Sequence, residues 1–249
     1  MPGGDVLCRA TGLPRELAAS RNASLVRICA AWPRPACLVT TRCPDVNKPA
    51  PLTLDALLAD VRACRVCQHD LPLGPRPIVR ATVDSRILIV GQAPGAKVHT
   101  SGIPWNDASG ERLRRWLGVD AASFYDETRF AIIPMGFCYP GRGSSGDKPP
   151  RRECAQLWLD SLLERLNKIE LTLLIGQYAQ RHFLGQRRKP SLTETVRAWA
   201  DYAPAFIPLP HPSPRNQAWF KHHPWFDNEV VPMLRTRVAA LTAEANQVI

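Results

Sequence analysis

Arg86-Ile87-Leu88-Ile89-Val90-Gly91-Gln92-Ala93-Pro94-Gly95 decides the fold. Five residues of apolar and β-branched character run straight into a glycine-bounded turn, which reads as a buried strand emptying into a tight loop. A second stretch behaves alike far downstream. Ala205-Phe206-Ile207-Pro208-Leu209-Pro210 is short and extended, and it empties into His211-Pro212-Ser213-Pro214-Arg215-Asn216. If both runs are strands of one parallel sheet, both polar loops fall at its carboxyl edge, where open α/β sheets bind ligands.

Working outward, two more strands are predicted, at Phe130 to Met135 and Leu171 to Gly176. Helical spacing of apolar residues predicts helices over 52–61 with Thr53 as a cap, from Ser109 to Leu117 with Gly118 as its stop, over 151–167 with Leu157, Trp158, Leu162, Leu163 and Leu166 inward, over 177–184, over 193–202, and over 228–245. Strands alternating with helices indicate a parallel sheet covered on both faces. No internal repeat is present. Residues 1–50 carry Cys8, Cys29, Cys37 and Cys43 without sustained periodicity, and are expected to be a poorly ordered N-terminal extension preceding one domain over 51–249.

The formal charge of +10 gives the chain a long-range attraction for polyanions, nucleic acid among them. No apolar run approaches the ~20 residues that span a bilayer, and the N-terminus lacks a basic segment followed by an apolar core, so a cytoplasmic protein without a secretory signal is expected. In that compartment the eight cysteines are expected to be thiols or metal ligands rather than disulfides.

Cys64 and Cys67 form a CxxC, and Cys138 and Cys154 flank the third loop and the helix after it. Four thiolates can close around a zinc ion or an iron–sulfur cluster; Cys138 and Cys154 would equally serve as small buried apolar residues. The Gly91 loop can point N–H groups at an anion or carbonyl, with Gln92 able to donate and accept, although a plain tight turn would use the same residues. Trp105, behind Pro104, offers a flat face for stacking a planar ring or a plug under the loop; Asp107 beside it is a base or a helix cap. In the last loop His211 can hydrogen-bond a developing anion, while Ser213, Arg215 and Asn216 can hold phosphates on a backbone that Pro212 and Pro214 stiffen. Beyond them Trp219, Lys221, His222, His223 and Trp225 form a basic and aromatic tract of the kind strand binders use. The dinucleotide pattern and the phosphate-loop lysine are both missing from the glycine loop, which argues against a nucleotide-dependent enzyme.

Gly91-Gln92-Ala93-Pro94-Gly95 and His211-Pro212-Ser213 resemble the two signature loops of the uracil-DNA glycosylase superfamily, and the order of elements between them agrees over about 52–240. The chain is most similar to the bacterial and archaeal class that carries a [4Fe–4S] cluster, because Cys64, Cys67, Cys138 and Cys154 fall in order on that class's ligand positions. The resemblance implies a three-layer α/β/α fold around a mostly parallel four-stranded sheet. It implies hydrolysis of the N-glycosidic bond of uracil or a related deaminated base flipped out of DNA, since that bond is unreachable inside the stack. By position, Gln92 with the Gly91 and Ala93 backbone would contact the base and poise water, Trp105 would stack, and His211 would stabilise the leaving base. Ser213, Arg215 and Asn216 would hold DNA phosphates, and the four cysteines would hold the cluster, with zinc the alternative.

The chain departs from the family at named places. Ala93 stands where the best-known branch has a water-activating aspartate, Gln92 where the iron–sulfur class often has glutamate, and Pro134 near an expected base-reading asparagine, which Asn106 or Asp107 could replace. The expectation is a monomeric DNA glycosylase of base excision repair acting on damaged DNA; the alternative is a catalytically silent lesion or single-strand binder with the same fold.

Overall fold

The computed structural model describes residues 53–144 and 146–243, within the compact unit Ala50–Ile249. The expected N-terminal extension with its four cysteines, the start of the first helix and residues 244–245 of the last lie outside the described residues.

Four strands, β1 (Ile87–Val90), β2 (Phe130–Ile132), β3 (Leu171–Ile175) and β4 (Phe206–Leu209), form one sheet in the order β2-β1-β3-β4. Every pairing is parallel. β1 is buried at all four positions, and its odd and even residues enter different cores. Ile87 and Ile89 join Phe130, Ile132, Leu171, Leu173, Ile207 and Leu209 on one face, while Leu88 and Val90 join Ala131, Leu174 and Phe206 on the other. Period-two side chains on a sheet wrapped from both sides produce this division.

The first face is covered by α3 (Ala108–Leu117) through Leu113, Trp116 and Leu117 and by α10 (Val231–Ala243) through Leu234, Val238 and Leu241. The second is covered by α1 (Leu54–Ala63) through Leu57, Leu58 and Val61, by Leu159 and Leu162 near α6 (Asp160–Leu163), and by Ala179 and Leu184 of α7 (Gly176–Leu184). The expected three-layer α/β/α architecture is thus present. Short helices complete it: α2 (Ala96–Ser101), α4 (Ala121–Phe124), α5 (Arg152–Cys154), α8 (Leu192–Arg197) and α9 (Gln217–His222). The open edge of β2 is masked by an antiparallel bridge to Arg80, which blunts further strand addition. No helix among the described residues is long and apolar enough to cross a membrane.

Thr53 caps α1 as expected, accepting the Ala56 N–H at 3.2 Å. Three local expectations are corrected. Asp107, not Ser109, caps α3, because its carboxylate reaches the Gly110 N–H at 2.9 Å. The helix expected over 151–167 is broken by a π-turn at Ala155–Leu159 that rotates its inner face, so Leu157 is 52% exposed and Leu159 fully buried. The helix expected over 193–202 starts one residue earlier, where Ser191 and Glu194 form a capping box, and α8 stops at Arg197 before a 3₁₀ turn.

Candidate active site

A parallel sheet ordered 2-1-3-4 reverses its winding direction between β1 and β3, and the crevice at that point lies outside the strands' carboxyl ends. A cavity of about 350 Å³ occupies that place. Its walls bring together Gly91, Gln92, Ala93, Trp105, Asp107, His211, Ser213 and Arg215 from the loops the sequence singles out.

The first wall follows β1. The Gly91 carbonyl accepts the Met135 N–H and the Gln92 carbonyl accepts the Gly136 N–H, both at 2.9 Å, so the loop is stitched to the chain leaving β2. Gln92 Nε2 donates to the Lys148 carbonyl at 3.2 Å. Oε1 accepts nothing among the described residues, which leaves an acceptor beside the cavity.

Trp105 forms the second wall. Its backbone sits at φ 58°, in the left-handed region. Arg114 donates to its carbonyl at 3.3 Å, and the Tyr125 hydroxyl donates to the preceding Pro104 carbonyl at 3.0 Å. A Cβ on Gly91 would lie 2.9 Å from Trp105 Cζ2, so the indole covers the glycine. Asn106, the neighbouring candidate base reader, is exposed and does not line the cavity.

The third wall is built from β4. Gln180, fully buried, donates to the carbonyls of Leu209 at 2.9 Å and Leu174 at 3.3 Å, fixing the ends of β3 and β4 just before His211. The Ser213 N–H donates to His211 Nδ1 at 3.2 Å. An accepting Nδ1 places the proton of the neutral ring on Nε2. Burial pushes the His211 pKa below its usual value, while Asp107 and Asp147 pull it partly back, so the neutral form is the resting one. Asn216 Nδ2 donates to the His211 carbonyl at 2.8 Å, which makes Asn216 a brace of this loop from inside.

At the mouth, Arg215 is exposed and its guanidinium reaches Gly146, where a Cβ would lie 2.6 Å from Nη1. Gly146 is at φ 148°, and its lack of a side chain allows that approach. The Ser213 Oγ accepts the Arg215 N–H at 3.3 Å and keeps its own hydrogen to donate. The cavity also takes in Lys97, Ser109, Pro134 and Asp147, which sequence reasoning missed. Asp147 closes a glycine-rich loop, a composition that says only that the backbone bends.

Trp219 and Trp225 are placed differently from the strand-binding tract the sequence suggests. Trp219 Nε1 donates to Thr193 Oγ1 at 2.8 Å, and its ring meets Phe226 and Trp225 edge-on, as part of the packing skirt of the first core.

Cys64, Cys67, Cys138 and Cys154 line one small apolar cavity between the end of α1, the chain after β2 and α5. Burial raises the Cys138 thiol to about 12 and the Cys154 thiol to about 11. The Phe137 N–H points at Cys154 Sγ, 3.3 Å away. No group of three or more metal-ligating side chains among the described residues is arranged to hold a metal ion. Four thiols on one dry cavity, with a backbone N–H turned to sulfur, nevertheless fit the donor chemistry of an iron–sulfur cluster.

A family model described as the uracil DNA glycosylase superfamily matches residues 79–235, a span holding all three walls of the larger cavity. Among solved structures, wild-type SMUG2 of Pedobacter heparinus is 16% identical over 66% of this chain and 77% of that one, with a TM-score of 0.33.

Proposed function

The chain belongs to the uracil DNA glycosylase superfamily, and on that premise we propose that it hydrolyses the N-glycosidic bond of uracil or a related deaminated base extruded from DNA. The observation that carries this reading is the His211 imidazole, held neutral with Nε2 as its donor, on the wall of a cavity faced by Trp105. As the bond from sugar to base breaks, negative charge gathers on the base oxygens. A preorganised N–H in a closed pocket then stabilises the transition state more than the ground state, worth about 3–4 kcal/mol for one such donor. Trp105 would stack the base and Gln92 Oε1 would accept from its edge. Ser213 and Arg215, with Lys97 at the mouth, would hold flanking phosphates, in line with the net charge of +10.

The same reading gives the four cysteines a [4Fe–4S] cluster. Sulfurs that share a cavity wall without meeting at one point suit a multi-atom cluster better than the single ion of a zinc site. The cluster would tie α1, the chain after β2 and α5 together as a scaffold element. The protein would work as a monomer on cytoplasmic DNA.

Gln92 and Ala93, neither of them a carboxylate, favour a second reading, a silent binder of damaged or single-stranded DNA. Incubation with a uracil-bearing oligonucleotide followed by alkali separates the two. Strand cleavage that disappears in His211→Ala is the expected result; salt-sensitive binding with no cleavage by the wild-type chain would replace the glycosylase with the binder.

A further inference from the structure

Hydrolysis needs a group that takes a proton from water, and the loop after β1 offers none, since Gln92 and Ala93 occupy it. Two carboxylates line the cavity, Asp107 and Asp147, and they differ in what else they do. Asp107 accepts the Gly110 N–H at 2.9 Å and is held as the cap of α3. The Asp147 carboxylate, among the described residues, accepts no hydrogen bond and pairs with no cation. Its Oδ2 lies over the opposite loop, 3.7 Å from the position a Cβ on Gly95 would take. It is close enough to His211 to act on the imidazole electrostatically.

An unengaged carboxylate is useful only if its place is fixed, and the backbone fixes it. Asp147 forms an antiparallel bridge with Arg142. The next residue is anchored twice, through the Lys148 N–H to the Gly141 carbonyl at 2.8 Å and through the Lys148 carbonyl to Gln92 Nε2 at 3.2 Å. Gln92 thereby ties the loop bearing Asp147 onto the loop after β1. The acid that this loop lacks is delivered from another part of the chain by the amide standing in its place.

We propose that Asp147 is the general base that activates water in this cavity, a role that rests on the glycosylase reading above. The bond from C1′ to the base nitrogen breaks, and its electron pair leaves with the base, whose oxygen accepts a hydrogen bond from His211 Nε2. The water oxygen forms the new bond to C1′ and its proton passes to the Asp147 carboxylate. That proton then moves to the departing base anion, directly or through solvent. The products are a free base and an abasic sugar, one water is consumed, and nothing is oxidised or reduced.

The test is single-turnover base release by the full chain from uracil- and hypoxanthine-bearing oligonucleotides, beside binding of the same oligonucleotide with an uncleavable 2′-fluoro nucleotide. Asp147→Asn is expected to lower the rate by about 10²–10⁴-fold with binding unchanged within about twofold, because a base acts in the transition state and not in the bound ground state. Asp147→Glu should recover part of the rate, and both variants should melt with the wild type, since Asp147 is exposed. Release by Asp147→Asn at the wild-type rate, or a rate loss matched by lost binding, overturns the role of Asp147 and leaves the glycosylase standing. If the wild-type chain releases neither base, the glycosylase reading and this one fall together.

Discussion

Trp105 and His211, far apart in the chain, meet across the cavity with ring centroids 5.8 Å apart and planes inclined at 36°. The tilt makes a wedge rather than a stack, with an aromatic face on one side and a hydrogen-bond donor on the other. A planar base entering the wedge would meet Trp105 with its face and His211 with its edge. Stacking on an aromatic side chain contributes about 1–3 kcal/mol per base. Trp105→Ala should therefore weaken binding of an uncleavable lesion oligonucleotide by about 5- to 150-fold, with Trp105→Phe near the wild type. Equal binding by all three in a fluorescence titration would remove Trp105 from the base site.

The position of Trp105 depends on a glycine that touches no ligand. A Cβ on Gly110 would sit 1.7 Å from the Trp105 carbonyl oxygen, and that neighbour is backbone, which cannot swing aside as a side-chain tip does. Gly110→Ala must displace the loop or the first turn of α3. Overpacking of this kind costs about 1–3 kcal/mol, and at 2–4 °C per kcal/mol for a domain of this size the melting temperature should fall by about 2–12 °C. Base release should fall with it, since the indole moves. A thermal melt and a rate assay on one preparation check both.

Why the two loops could be found in the sequence, and Gln180, Gly110 and Asp147 could not, has a physical cause. Ile87 to Val90 and Leu171 to Ile175 are buried on both faces, so they stand out as unbroken apolar runs, and parallel strands place their exits on one edge. The site's location follows from that. Gln180 is a single polar residue on a helix, and nothing local says that its amide reaches two strand ends. Gly110 matters through the approach of a distant carbonyl. Asp147 enters the site through a loop whose glycines make its path invisible to periodicity. The π-turn at Ala155–Leu159 misled the reading of Leu157 for a related reason: one extra residue in a turn rotates a face without altering composition.

His211 carries a pH signature. Burial holds its pKa below the ordinary 6.5, against the pull of Asp107 and Asp147. Just below 6.5 the unfolded chain therefore binds more protons at this position than the folded one. The contribution of His211 to stability is complete above that value and is lost as the pH falls through the folded pKa. Protonation also puts a hydrogen on Nδ1, where the Ser213 N–H already donates, so the loop geometry is lost with the charge change. Denaturation midpoints should decline with acid below 6.5 in the wild type and less steeply in His211→Asn. Base release should persist at full rate down to that value. A wild-type midpoint that is flat through this range would contradict the neutral buried imidazole.

The cysteine cavity makes a separate prediction. Purified protein should be brown with broad visible absorbance and should contain iron and acid-labile sulfide. Cys138→Ala should lose the colour and melt earlier, because a group bound by the folded chain adds its binding free energy to stability. Zinc without iron in elemental analysis would assign the four thiols to a single ion.

Arg215 separates phosphate contact from base recognition. It is exposed, it projects from a loop that Pro214 stiffens and Asn216 braces, and its guanidinium rests against Gly146 at the mouth. Nothing in that setting reads a base edge. Its contribution should be counterion release from one neutralised phosphate, which is indifferent to the base in the pocket. Arg215→Ala should weaken binding to lesion-bearing and undamaged strands by the same factor and reduce the slope of log affinity against log salt by about one. Base release at saturating protein should stay near the wild-type rate. A variant that discriminates less between damaged and undamaged DNA, at an unchanged salt slope, would instead put the guanidinium in contact with the extruded base.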